Sequence, residues 1–215
     1  MKHSDLALNT SLALLLVLAV FLSVFAGWQG GIADLAAAIN GSDALSAQIL
    51  RELRLPRAFL GGLIGLGLGG AGAVLQGYFR NPLADPGVVG VSASAGLGAV
   101  LALYFGLSAS FAFAVPVAAV FGAVVGVTAL LLLAGNRASA TTLILAGVAV
   151  GAIATAFTAL LMNLAPNPWA LAEIAYWLMG SLKDASWNEL GFAAPLILLG
   201  LGTVSYTHLT LPTKA

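Results

Sequence analysis

The sequence predicts an all-α protein, a polytopic bundle of transmembrane helices, on three observations. Apolar residues make up 60% of the chain and charged residues 7%, with mean hydropathy +1.04, whereas soluble domains carry about 25% charged residues. Apolar runs of about 20 residues, long enough to cross a bilayer as a helix, recur along its length. Glycine and alanine recur within one of them at four-residue spacing, the pattern of helices packed closely in lipid. A barrel fits poorly, because lipid-facing strands alternate apolar and polar residues in segments of about ten and these runs are continuous.

The first run, about Leu8 to Trp28, follows Lys2, His3 and Asp5. It exceeds a signal-peptide core of about 7–15 residues and lacks a clear cleavage site, so it reads as a retained helix. Residues Gln29 to Leu53 are of mixed polarity, with Asn40-Gly41-Ser42-Asp43 as a turn signal and a surface helix from about Ala44 to Leu53. A second spanning helix follows from Pro56 to Tyr78, proline being tolerated in a first turn. In it Gly61, Gly65, Gly69, Ala73 and Gly77 form a small-residue ladder. That ladder serves close helix packing or a face along which a neighbour slides.

Phe79 to Gly87 ends this helix in a turn stiffened by Pro82 and Pro86. Further helices are expected at Val88–Leu107, Ser110–Ala134 and Leu143–Leu164, the last carrying Gly147 and Gly151 at packing spacing. Ala165 to Glu189 has an aromatic-belt composition with Pro166, Pro168, Trp169, Tyr176, Trp177 and Trp187. A sixth helix begins near Leu190, making about six in all. Ser205 to Ala215 is polar and β-branched, reads as non-native adaptor sequence, and is set apart from the membrane domain at 1–204.

Several chemistries lack their residues. Zero formal net charge tells against a nucleic-acid partner. There is no cysteine, and His3 and His208 lie near opposite ends, so neither a metal site nor a cofactor is expected. No GxxxxGK[ST] loop, GxSxG elbow or HExxH pair occurs, so ATP hydrolysis and hydrolase chemistry are not expected of this chain. The eight acidic residues all fall in expected loops, ends or interfacial segments. Ion-coupled transporters keep ionisable groups at membrane depth, which tells against a self-contained secondary transporter or channel.

RLPR at Arg54–Arg57, GYFRNPLADPGVVGVSASAG at Gly77–Gly96, LILAGVAVGA at Leu143–Ala152 and YWLMGSLKDASW at Tyr176–Trp187 occur in order. Together they resemble the permease subunits of ABC importers for iron–siderophores, haem and cobalamin, the FecCD type. The resemblance implies about ten membrane helices per subunit, so the chain reads as a permease truncated after about the sixth, or as a non-functional fragment of one. It also implies a bacterial inner-membrane location, a second permease subunit, two separate ATPase subunits, and a periplasmic or lipid-anchored binding protein that delivers a metal-chelate or corrinoid cargo.

By the same resemblance, Arg54 and Arg57 match the positions that meet acidic residues of the binding protein; their plain alternative is a juxtamembrane anchor. Thr141 and Thr142 match a narrow cytoplasmic gate, their alternative being a helix N-cap. Asn81, Pro82, Asp85, Pro86 and Gly87 are expected to be structural, their polar side chains satisfying helix ends. An inside amino terminus, as the resemblance implies, puts Lys2, Arg80 and Arg137 inside and Arg51, Arg54, Arg57 and Lys183 outside. The positive-inside rule leans the other way, and a docking role for the outer arginines accounts for the excess.

Overall fold

A computed structural model describes residues 3–25, 36, 40 and 45–209, and among them every regular element is helical. The elements are α1 (His3–Phe25), α2 (Leu45–Ile49), α3 (Leu55–Phe79), α4 (Val91–Tyr104), α5 (Ala114–Ala134), α6 (Ala140–Asn163), α7 (Pro168–Met179) and α8 (Trp187–Leu209). The runs carrying α1, α3, α5, α6 and α8 are long and apolar enough to cross a membrane. Backbone groups in hydrocarbon have no water to bond, so a chain of this composition must satisfy them within each helix.

Several boundaries differ from the sequence reading: the helices expected from Leu8, Ser110 and Leu143 begin at His3, Ala114 and Ala140, and the stretch after Ala165 contains the helix α7. Three further differences concern α3, α4 and α8. The expected break between a surface helix and Pro56 is absent: α2 passes through a π turn at Leu50–Arg54 directly into α3. There the Leu55 N–H donates to the Leu50 carbonyl, five residues back. A proline ring clashes with the carbonyl four residues behind it, and a widened turn relieves the clash without ending the helix. The helix expected at Val88–Leu107 is instead the 14-residue α4 between a 3₁₀ turn at Pro86–Val89 and another at Leu107–Ala109. Gly90 (φ 75°) and Gly106 (φ 66°) hold left-handed conformations that only glycine adopts freely, and these set its limits. Finally, α8 runs past Thr203 to Leu209, while Thr210–Ala215 of the tail lies outside the described residues. Of the turn signal at 40–43, Asn40 donates its N–H to the Ala36 carbonyl and the rest is also outside them.

The chain forms two compact units, Met1–Gly70 with Leu182–Ala215, and Ala71–Ser181. In the first, Val24, Ala47, Leu50 and Ala58 make the buried cluster, with Val20 and Leu55 packed on it. In the second, Val100, Leu103 and Ile174 play that part, backed by Tyr104, Val115, Leu161 and Met162. Large side chains elsewhere are open, Leu14 at 70% and Leu132 at 78% exposure. Lipid tails solvate such surfaces as well as another leucine would, so packing here rests on dispersion and close backbone approach.

Threonines are accommodated in these apolar helices by bonding backward. Thr128, Thr155 and Thr158 donate to the carbonyls of Val124, Gly151 and Ala154 at 2.8, 2.8 and 3.0 Å. Each hydroxyl is thereby satisfied within its own helix.

Candidate functional site

In the first unit, the basic segment before α3 is bonded to two distant parts of the chain. Arg54 Nη1 donates to the Val24 carbonyl at 2.9 Å. That carbonyl is in the last turn of α1, where helix geometry leaves four without a partner. A guanidinium there also opposes the negative end of the helix dipole. Arg57 Nη2 donates to the Lys183 carbonyl, and the Trp187 indole N–H donates to the Arg51 carbonyl at 3.0 Å. Trp187 and Phe59 hold their ring centroids 6.3 Å apart, tilted by 39°. Arg57 Nε is buried with no hydrogen-bond partner among the described residues. At the head of α8, Ser186 caps with Glu189: Glu189 Oε2 accepts from the Ser186 N–H at 2.9 Å and from its hydroxyl. The arginines are thus structural fasteners as well as surface cations.

In the second unit, α4, α5 and α6 meet through glycine. An ideal Cβ on Gly98 would lie 2.2 Å from the Ala118 carbonyl oxygen, and one on Gly122 2.3 Å from that of Ser94. A Cβ on Gly126 would lie 2.3 Å from Ser94 Oγ, which itself donates to the Gly90 carbonyl at 2.9 Å. Gly147 sits so close that a Cβ would meet Val89 Cα at 2.9 Å, and one on Gly90 would meet the Gly147 oxygen at 2.4 Å. Gly151 completes this crossing, its Cβ position 3.3 Å from Gly90 Cα.

The turn that delivers Gly90 into this crossing is bonded to itself. Asn81 Oδ1 accepts from the Leu83 N–H at 2.9 Å and Asp85 Oδ1 from the Gly87 N–H at 2.7 Å. Asp85 is extended, as a residue before proline prefers, and caps the 3₁₀ turn that Pro86 starts. Arg80, at φ 49°, and exposed Pro82 precede it.

Thr141 and Thr142 lie exposed in the first turn of α6. Neither is its N-cap. That position belongs to Ser139, whose Oγ accepts from the Thr142 N–H at 3.1 Å and bonds the Thr142 hydroxyl at 2.9 Å. A serine one residue before an apolar helix is the better cap, because its hydroxyl reaches back over the first turn without a β-methyl. Thr141 therefore keeps its hydroxyl outside the cap.

The α3 ladder is placed less uniformly than its spacing suggests. A Cβ on Gly61 would meet Leu182 Cδ1 at 3.5 Å, while Gly65, Gly69 and Gly77 have no described atom within 4 Å of theirs, and Ala73 is exposed. The tight glycines of α3 are others: a Cβ on Gly67 would lie 3.1 Å from Ile197 and one on Gly70 2.6 Å from Leu201, both on α8. In the second unit an apolar cavity of about 290 Å³ opens among Leu97, Leu101, Phe121, Val125, Val150 and Ile153, with no titratable side chain in its wall. Among the described residues no group of three His, Asp or Glu is gathered.

Apolar helices clasped at glycine crossings, without acid–base or metal-binding clusters among the described residues, define a multi-pass membrane protein built to pack and hold helices. The profile of the FecCD transport family matches residues 13–211, and the chain belongs to that family. The vitamin B12 import system permease protein BtuC of Klebsiella pneumoniae subsp. pneumoniae is 33% identical over 218 residues, covering 94% of this chain and 63% of its own. The same protein of Salmonella paratyphi A is 34% identical over 219 residues, covering 94% and 64%. A solved chain reported as a metal-chelate type ABC transporter in an inward-facing conformation superposes with TM-score 0.76 at 28% identity, over 90% of this chain and 59% of its own. The chain thus spans under two thirds of the length of these relatives.

The distant fasteners were not visible in the sequence. The four-residue spacings Ser94–Gly98 and Gly122–Gly126 were visible, but not that one pair would sit on the other.

Proposed function

We propose that this chain is the transmembrane permease subunit of a binding-protein-dependent ABC importer in the bacterial inner membrane, carrying an iron–siderophore complex, haem or cobalamin. The observation that carries the reading is the ordered run of motifs from Arg54 to Trp187 in a chain of the FecCD transport family. Relatives named for vitamin B12 import and a neighbour named for metal chelates support a large metal-bearing cargo. The chain contains no GxxxxGK[ST] phosphate loop, so ATP is hydrolysed on two partner subunits rather than on the permease.

In this reading residues 1–204 belong to the membrane domain, Ser205–Ala215 stands apart from it, and a second permease subunit completes the pathway. Arg54 and Arg57 receive acidic side chains of a periplasmic or lipid-anchored binding protein; their charges steer encounter and set orientation more than raw affinity. Thr141 and Thr142 narrow the cytoplasmic end, where small hydroxyls part without breaking an ion pair. The α3 ladder and Gly147 and Gly151 pack helices, and the Asn81–Gly87 turn is a rigid corner.

The test is uptake of radiolabelled cobalamin and of an iron hydroxamate in cells lacking their own importers, with the protein co-expressed with ATPase and binding-protein partners. Uptake that requires ATP and both partners is expected. Uptake by the purified chain alone in liposomes, driven by an ion gradient, would refute the reading in favour of a secondary transporter.

A further inference from the structure

We propose that the apolar groove between α4, α5 and α6 holds one acyl chain of an anionic glycerophospholipid, with Arg137 at its mouth receiving the phosphate. The groove is the cavity of about 290 Å³ in the second unit. Only the membrane setting of α5 and α6 enters, not the identity of the cargo.

The glycines that clasp the helices also create the space. Gly98, Gly122 and Gly126 bring α4 and α5 into backbone contact and add no side chain above the crossing. A trough is left between Phe121 and Val125 on α5 and Ile153 on α6. Phe121, 68% exposed, and Ile153, 55% exposed, stand at its open side. Both α5 and α6 are long and apolar enough to cross a membrane, so the medium at that side is hydrocarbon. Among the described residues of the wall, Ser94 alone carries a polar side-chain atom, and its hydroxyl is donated to the Gly90 carbonyl. A polar cargo would leave its own groups unpaired here, whereas a hydrocarbon chain needs no partner. An empty trough would forfeit the dispersion contacts of its lining.

Size selects a chain over a helix. One helical turn, about 10 Å across and 5.4 Å long, fills about 400 Å³, more than the groove offers. From Leu133 back to Phe121 the α5 wall measures about 18 Å along its axis. The hydrocarbon of one leaflet is about 15 Å deep, so the length suits a single acyl chain. The Leu133 end of the groove lies one residue before α5 stops at Ala134. Arg137, exposed in the turn that follows, therefore stands at headgroup level, where a guanidinium binds phosphate through paired hydrogen bonds. No acidic side chain lies between Leu133 and Thr142. The α3–α4 turn, brought to the same end by the Gly90–Gly147 crossing, adds one charge of each sign, Arg80 and Asp85. The mouth of the groove thus keeps a net positive charge.

The probes are phosphatidylglycerol and phosphatidylcholine, each carrying a photoactivatable diazirine on one acyl chain. Each is a trace component of phosphatidylcholine liposomes that hold the full chain. After irradiation, cross-links are mapped by peptide mass spectrometry, with Leu14, 70% exposed on α1, as the reference for ordinary bilayer contact. Wild type is expected to label at Val125 and Ile153 above the Leu14 level, about fivefold more with phosphatidylglycerol than with phosphatidylcholine. Arg137→Gln is expected to abolish that preference and keep the groove labelled. Ala129→Phe, which fills the trough, is expected to bring groove labelling down to the Leu14 level with both probes. Arg137 is exposed, so its variant keeps the test decisive if Ala129→Phe does not fold. Groove labelling no higher than at Leu14 in wild type would overturn the proposal, leaving the trough to passing lipid or to a protein surface. Equal labelling by the two probes in wild type would overturn the anionic headgroup, and a preference kept in Arg137→Gln would overturn the part given to Arg137.

Discussion

Replacing Gly98 by alanine tests whether the α4–α5 crossing is as close as the structure shows. The new Cβ would lie 2.2 Å from the Ala118 carbonyl oxygen, 3.0 Å from its carbon and 3.1 Å from Gly122 Cα. All three are backbone atoms, so no side chain can rotate aside, and the helices must separate locally by about 1 Å to restore contact distance. A gap of that size forfeits roughly a quarter to a half of each contact of about 0.1–0.2 kcal/mol, or about 1 kcal/mol over some twenty atom pairs. Residual overpacking strain adds about 1–3 kcal/mol, and alanine's better helix propensity returns about 1 kcal/mol. The net expectation is destabilisation by about 1–3 kcal/mol. Gly69→Ala is the matched control, since no described atom lies within 4 Å of its Cβ position, and it should gain up to about 1 kcal/mol from propensity. Denaturation of both variants in detergent micelles, followed by far-ultraviolet circular dichroism, measures the difference. Gly98→Ala as stable as wild type, or Gly69→Ala the more damaging of the two, would refute the reasoning.

Three further outcomes follow from the same structure. Gly90→Ala should be worse than Gly98→Ala, because it adds left-handed strain of about 1–2 kcal/mol to a clash 2.4 Å from the Gly147 oxygen; the same denaturation measurement ranks them. Ser139→Ala should cost about 1 kcal/mol through loss of the α6 cap, while Thr141→Ala costs little; amide exchange in the first turn of α6 separates them. Asp85→Ala should loosen the 3₁₀ turn by about 1 kcal/mol, seen as faster exchange at the Gly87 amide.

Helix type and approximate length were legible because the bilayer acts locally. A long apolar run must satisfy its own backbone, so α1, α5 and α6 follow from composition alone. The elements misplaced from sequence are those where one residue's conformation overrides the run. Gly90 and Gly106 cut α4 short, and the π turn at Leu50–Arg54 carries the chain past Pro56. Of the candidate site, residue types were legible but not their partners. Arg54 and Arg57 stand out as cations at a helix start, yet nothing in the sequence marks the carbonyls of Val24 and Lys183 as the groups they hold. A backbone carbonyl is present at every residue and identifies none.

The glycines divide in the same way. Spacing selected the α3 ladder at Gly61, Gly65, Gly69, Ala73 and Gly77, because four-residue recurrence places small residues on one face whatever lies opposite. By itself the sequence determined that this is an all-helical membrane protein and, through its ordered motifs, which transport family it resembles. Tertiary structure decided which small residues are clasped: Gly67 and Gly70 against α8, and Gly98 on Gly122 with Ser94 on Gly126. It also decided that a loop 126 residues on returns to Arg57. Close approach is a property of two surfaces, and a periodic pattern reports on one.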